Sequence, residues 1–126
     1  MLRCVPALVL GLALALPAAA QAPRNFLVKT MRGSVVFGAP PEVTLNGKPA
    51  RLAPGARIRD ENNLVVLPAT LAGRKAVVNY TVELEGMLLD VWLLTPAEAA
   101  RKPWPVTQQE AQTWLFNVDA QSWAKP

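Results

Sequence analysis

The sequence predicts a mainly β domain, a small antiparallel β-barrel or rolled sheet with one or two short C-terminal α-helices. Three observations carry this expectation. Short β-rich runs recur between Phe26 and Leu94, separated by Gly, Pro, Asn and Asp, and short strands with frequent turns belong to rolled or closed sheets. Asn46-Gly47 sits between two such runs, and both residues accept the positive φ of a type I′ hairpin turn. Beyond Thr95 the pattern changes to helix-start signals.

The first residues have a different layout. Met1-Leu2-Arg3 is a short positive segment, Val5 to Leu16 is apolar, and Pro17 precedes the small residues Ala18-Ala19-Ala20. That is the layout of a secretory signal peptide, and it is too short for a membrane span, which needs about 20 apolar residues. Cleavage after Ala20 is expected, because the competing cut after Ala22 would place Pro23 at the new N-terminus. The expected units are a signal peptide over 1–20, a lead-in and first strand over 21–32, a barrel core over 33–95 and a helical segment with tail over 96–126. The product is expected in the periplasm or outside the cell. Cys4 precedes the apolar run, so it is not placed as a lipoprotein cysteine. Removing Arg3 leaves twelve basic residues against nine acidic, a net charge of +3. That is mild for a nucleic-acid binder.

The strands are expected in order. Phe26-Leu27-Val28 and Ser34-Val35-Val36-Phe37 are β-rich, with Gly33 read as a break between them. Pro40-Pro41 bends the chain into Val43-Thr44-Leu45. With Asn46-Gly47 at the tip, Leu45 faces Lys48, Val43 faces Ala50 and Glu42 faces Arg51. Pro49 cannot donate to a ladder, so Lys48 to Leu52 reads as an edge or bulged strand. Pro54-Gly55 reads as a second turn, Arg57-Ile58-Arg59 as a half-buried strand and Asp60 to Asn63 as a third turn. Leu64 to Leu67 reads as a short buried strand ended by Pro68, and Ala72-Gly73-Arg74 as another turn.

The run AVVNYTVELEGMLLDVWLL reads as a core hairpin with Glu85-Gly86 at its tip. Leu84 then faces Met87, Val82 faces Leu89, Tyr80 faces Val91 and Val78 faces Leu93, which makes one apolar face. Asn79, Thr81, Glu83, Leu88, Asp90 and Trp92 fall on the other face. Thr95-Pro96-Ala97-Glu98 and Thr107-Gln108-Gln109-Glu110 each supply an N-cap threonine with a glutamate three residues on. Ala111, Trp114, Leu115 and Val118 follow at i, i+3, i+4 and i+7, a stripe for a helix of about three turns.

Three stretches together carry a resemblance: Val43 to Gly47, Pro54 to Ile58, and the Gly86-centred hairpin ending in Val91-Trp92-Leu93-Leu94-Thr95. Over roughly Gly33 to Glu98 the chain resembles uncharacterised exported small β-barrel proteins of Gram-negative bacteria. The resemblance implies an exported domain and transfers no catalytic residue.

Composition excludes several chemistries. After cleavage the chain holds no histidine and no cysteine, so it cannot build a Ser-His-Asp or Cys-His site. It also lacks the nitrogen and sulfur ligands usual for zinc and copper. No cofactor or metal is expected. Asp60-Glu61-Asn62-Asn63 begins like a calcium loop but lacks the glycine at position six, and a turn accounts for it. Ser122-Trp123-Ala124-Lys125 matches S-x-x-K without the companion motifs of that enzyme class.

The candidate sites lie elsewhere. Glu83 and Asp90, beside Asn79 and Trp92, could bind or weakly hydrolyse a glycan. Arg57 and Arg59 share a face and could hold an anion or a partner. Trp104, between two prolines, is either an exposed partner anchor or a cover for the barrel. The expected function is a non-enzymatic interaction domain of the envelope, binding a protein partner through a sheet edge or the tryptophan-bearing C-terminal segment. An anionic polymer or glycan is the alternative ligand. Nucleic acid and stable membrane insertion after cleavage are not expected.

Overall fold

A computed structural model describes residues 23–126, so the expected signal peptide lies outside the described residues. Eight strands and two helices follow in order: β1 Met31–Phe37, β2 Glu42–Leu45, β3 Lys48–Arg59, β4 Val65–Val66, β5 Lys75–Val82, β6 Leu88–Leu93, α1 Pro96–Ala99, α2 Gln108–Thr113, β7 Leu115–Asn117 and β8 Ser122–Ala124. Five of the strands close a circuit, β1-β2-β3-β6-β5 and back to β1, with β4 added to the outer side of β3. Every pairing is antiparallel except β3 with β6. That order makes a small closed barrel in which sequence neighbours are not always sheet neighbours. The expected small β-barrel with two short C-terminal helices is what the chain forms.

Alternation along the strands builds the interior. Met31, Val35 and Phe37 of β1 point inward with Val78 and Tyr80 of β5, Val91 and Leu93 of β6, and Ile58 of β3. Leu71, at the end of a 3-10 turn over Pro68–Leu71, packs into the same core. The β2–β3 hairpin has the register its turn dictates, with Leu45 opposite Lys48, Val43 opposite Ala50 and Glu42 opposite Arg51. Asn46 and Gly47 have φ of 52° and 80°, and Arg51 Nε lies 3.3 Å from Glu42 Oε1. The Asn46 side chain also accepts the Ser34 N–H at 2.9 Å. Asn46→Ala should therefore cost about 1–2 kcal/mol in urea unfolding, through the left-handed backbone and the lost bond.

Several expectations change. Gly33 is no break: β1 runs through it, and a Cβ there would come within 2.8 Å of Leu45 Cδ1. It is glycine because the hairpin tip lies against it. Pro54-Gly55 is a bulged stretch within β3, not a turn between strands, with Gly55 at φ 77°. Phe26 to Val28 form no strand. Leu64 to Leu67 are not a buried strand: β4 pairs on one side only, and Leu64, Val65 and Leu67 are exposed while Val66 alone packs inward.

The β5–β6 hairpin keeps its predicted register at Tyr80–Val91 and Val78–Leu93 but shifts by one residue nearer the tip, where Val82 meets Leu88. Leu88 is therefore in the core and Leu89 outside. The cause lies on the neighbouring strand, where Leu52 of β3 stands opposite Leu88 and shares its core. The turn spans Glu83 to Gly86, with the Gly86 N–H donating to the Glu83 carbonyl at 2.9 Å and Gly86 at φ 85°. Leu84 stands fully in solvent instead of facing Met87.

The second helix is also shorter than its stripe suggests. Thr107 caps α2, which ends at Thr113, and Trp114 turns to extended backbone. Leu115–Asn117 and Ser122–Ala124 then pair as a hairpin. An alternation of two lets Phe116 stack on Trp123, with centroids 4.7 Å apart, which a helix would not allow. Tertiary packing has overridden the helical spacing.

Candidate functional site

A second apolar cluster forms on the outside of the barrel. Phe26, Trp104 and Trp123 are buried there, with Trp92, Leu94, Trp114 and Phe116 packed around them. The segment from Pro23 to Thr30 runs across this layer as a strap. Phe26 meets Trp92 and Trp104 edge-on at 5.5 Å and 5.8 Å.

A polar clamp holds the strap down. Thr95 and Glu98 form the predicted capping box at α1, each bonded to the other's backbone N–H. The same Glu98 carboxylate accepts from Arg24 at Nε, at Nη2 and at its backbone N–H, at 2.8–2.9 Å. Arg24 further donates to the carbonyls of Asp60 and Leu93. Burial alone pushes the Glu98 pKa up; the Arg24 side chain, the two backbone N–H bonds and the Arg24 charge outweigh it and hold the carboxyl at about 2. Arg32 donates to the carbonyls of Glu98, Ala99 and Arg101 at the end of α1 and to Asn79 Oδ1. Burial and the Arg101 charge lower its pKa to about 10, so it is still a cation at neutral pH.

These contacts decide where the predicted site residues lie. Arg59, Trp92, Asn79 and Arg32 form one row across the outer face of β3, β6, β5 and β1. Arg57 stands opposite Asp90 in the next row. The two patches read separately in the sequence are thus one face. Part of it is covered: Asn79 and Arg32 are buried, and Phe26 lies against the Trp92 ring, while Arg57 is exposed. Trp104 is 5% exposed, donates its Nε1–H to the Thr30 carbonyl at 2.9 Å and stacks under Arg32. It is cover for the barrel, not an exposed anchor. Ser122 and Lys125 form no dyad, since the ammonium lies over the Trp114 ring.

Beside this face a groove of about 900 Å³ opens between the strap, the β5–β6 hairpin and α2. Leu27, Val28 and Lys29 form one wall, Thr81 to Leu84 with Asp90 another, and Gln108, Ala111 and Gln112 of α2 the third. Buried Met31 lines it as well. Asp90 Oδ2 accepts the Thr81 hydroxyl at 3.2 Å, leaving Oδ1 outside that bond. Glu83 Oε1 accepts the N–H groups of Glu85 and Met87 at 2.9 Å and 2.8 Å, so this carboxylate builds the turn. Oε2 takes no part in those bonds.

Glu83 and Asp90 are therefore brought together on the groove, whereas Asn79 and Trp92 are absent from its lining. Arg57 and Arg59 lie on β3, beyond β6 from the groove. Leu27, Val28, Leu84 and the α2 glutamines were not singled out in the sequence. A local signal existed for Leu84, since Gly86 three residues after Glu83 fits a type I turn ending in a left-handed glycine. Gln108, Ala111 and Gln112 also share one helix face at i, i+3 and i+4. A smaller recess of about 400 Å³ at Pro41, Leu52 and Met87 has one charged lining residue, Arg51, which is paired with Glu42. The chain matches no family model, no curated protein and no solved structure.

Proposed function

We propose that the protein is an exported, non-catalytic interaction domain of the bacterial envelope, with a protein partner seated in the groove between the strap, the β5–β6 hairpin and α2. One observation carries this reading. A groove of about 900 Å³ combines aliphatic side chains with the polar or charged side chains of Lys29, Thr81, Glu83, Asp90, Gln108 and Gln112, and a concave surface on which polar groups converge is the usual form of a binding site. Its rim places Leu84, Leu27 and Val28 in solvent, and exposed aliphatic side chains clustered at a concave surface mark interaction sites. The glycan alternative has less support. Phe26 covers the Trp92 ring on which a sugar would stack, and Glu83 is engaged in its turn.

Site-specific photocrosslinking in intact cells tests the proposal. A photoreactive residue replacing Leu84 or Val28 should give a discrete protein adduct in the envelope fraction. The same residue replacing Leu115, exposed on β7 and away from the groove lining, should not. Equal capture from Leu115, or no protein adduct from either groove position, would overturn it.

A further inference from the structure

The charge around the groove runs against the charge of the chain. Residues 23–126 hold twelve basic and nine acidic side chains, yet Glu83 and Asp90 line the groove against one cation, Lys29. Glu85 stands beside Leu84 on the rim. Arg57 stands across from Asp90 on the same face but outside the groove lining, and no ion pair joins the two. A ligand entering the groove therefore meets two carboxylates against one lysine, set among aliphatic side chains and the amides of Gln108 and Gln112.

We infer that the groove receives an extended peptide segment in which a lysine or arginine side chain meets Asp90 and Glu83 while neighbouring aliphatic side chains lie against Leu27, Val28 and Leu84. This rests on the reading of the groove as the ligand site. Each carboxylate is positioned before a ligand arrives, Asp90 by the Thr81 hydroxyl and Glu83 by two backbone N–H groups. Each keeps one oxygen outside those bonds. Preorganised acceptors lose less freedom on binding than free side chains do. The charges are partly exposed, so they contribute selectivity more than affinity.

The test uses the full-length protein and three capped heptapeptides of alanine and leucine that differ at the centre, with arginine, glutamine or glutamate. Binding is followed by backbone amide NMR shifts. The arginine peptide should shift resonances of the groove walls and bind about tenfold more tightly than the glutamate peptide, equivalent to ~1.4 kcal/mol. In the E83Q/D90N double variant, whose amides can still accept the positioning hydrogen bonds, that ratio should fall to about twofold or less. Unchanged amide shifts away from the groove confirm that the variant is folded. If the glutamine peptide binds in the groove as tightly as the arginine peptide, or the ratio survives in the double variant, the charge inference is overturned and the groove reading stands. If no peptide shifts the groove resonances and a chitotetraose probe does, both are overturned.

Discussion

Trp104→Ala should destabilise the domain by roughly 3–5 kcal/mol, the usual cost of emptying a buried tryptophan site. Trp104 stands at the centre of the outer aromatic layer, edge-on to Phe26, Phe116 and Trp123 at 5.8 Å, 5.9 Å and 6.1 Å. Its removal also leaves the Thr30 carbonyl without the indole donor and Arg32 without the ring beneath it. A stability of order 5–15 kcal/mol leaves little margin for such a loss. Trp104→Phe retains most of the packing and drops the hydrogen bond, so about 1–2 kcal/mol is expected. Urea unfolding of both variants, followed by far-ultraviolet circular dichroism, measures the two. Any binding defect of Trp104→Ala must then be read as loss of the folded layer, not of a contact with a partner.

Glu98→Gln should cost about 3 kcal/mol near pH 7, and the penalty should vanish in acid. Folding lowers the Glu98 pKa from an ordinary 4.5 to about 2, and each pKa unit corresponds to about 1.4 kcal/mol. A depressed carboxyl pKa contributes its full stability above the unfolded value and loses it as the pH falls through the folded value. The contribution is thus complete above about pH 5 and gone near pH 2. Removing the charge also leaves Arg24 facing a neutral amide, and single removal from a buried pair is costly. Denaturant unfolding of both proteins at pH 7, 4 and 2.5 checks the result. The difference between them should shrink steadily along that series. A constant difference would place the cost in shape and not in charge.

What could be read in the sequence was local. Asn46-Gly47 sets a turn, the turn sets a register, and the register puts Glu42 beside Arg51, all within ten residues. The threonine caps of α1 and α2 are equally short-range. Expectations failed where a distant segment decides. Leu88 turns inward because Leu52 lies across from it on a strand that the hairpin pattern cannot reveal. Trp114 to Val118 satisfy a helical stripe, but Trp104 and Trp123 offer Phe116 a better packing as a strand. Leu64 to Leu67 look like core because an apolar run carries no sign of which side is free. Of the candidate site, Glu83 and Asp90 were legible because one hairpin carries both. Asn79 and Trp92 were read as open because nothing in the hairpin announces a strap arriving from Phe26. The Arg24–Glu98 pair, 74 positions apart, has no sequence signature.

The side chain of Gln121 treats Phe26 as a strand would. Its Oε1 accepts the Phe26 N–H at 2.6 Å, and its Nε2 donates to the Phe26 carbonyl at 3.2 Å, across 95 positions. With the Arg24 clamp, this ties the strap to residues 74 and 95 positions away, and non-local contacts form slowly because they must await closure of the chain between them. The strap leaves the ribosome well before Glu98 and Gln121, which hold it. The Arg24 clamp is incomplete until Glu98 has emerged and the Phe26 contact until Gln121 has, so the barrel can close before its outer layer is complete. Exposure of the strap to proteases lasts until Gln121 is in place, and a chain stopped short of Gln121 would keep that window open.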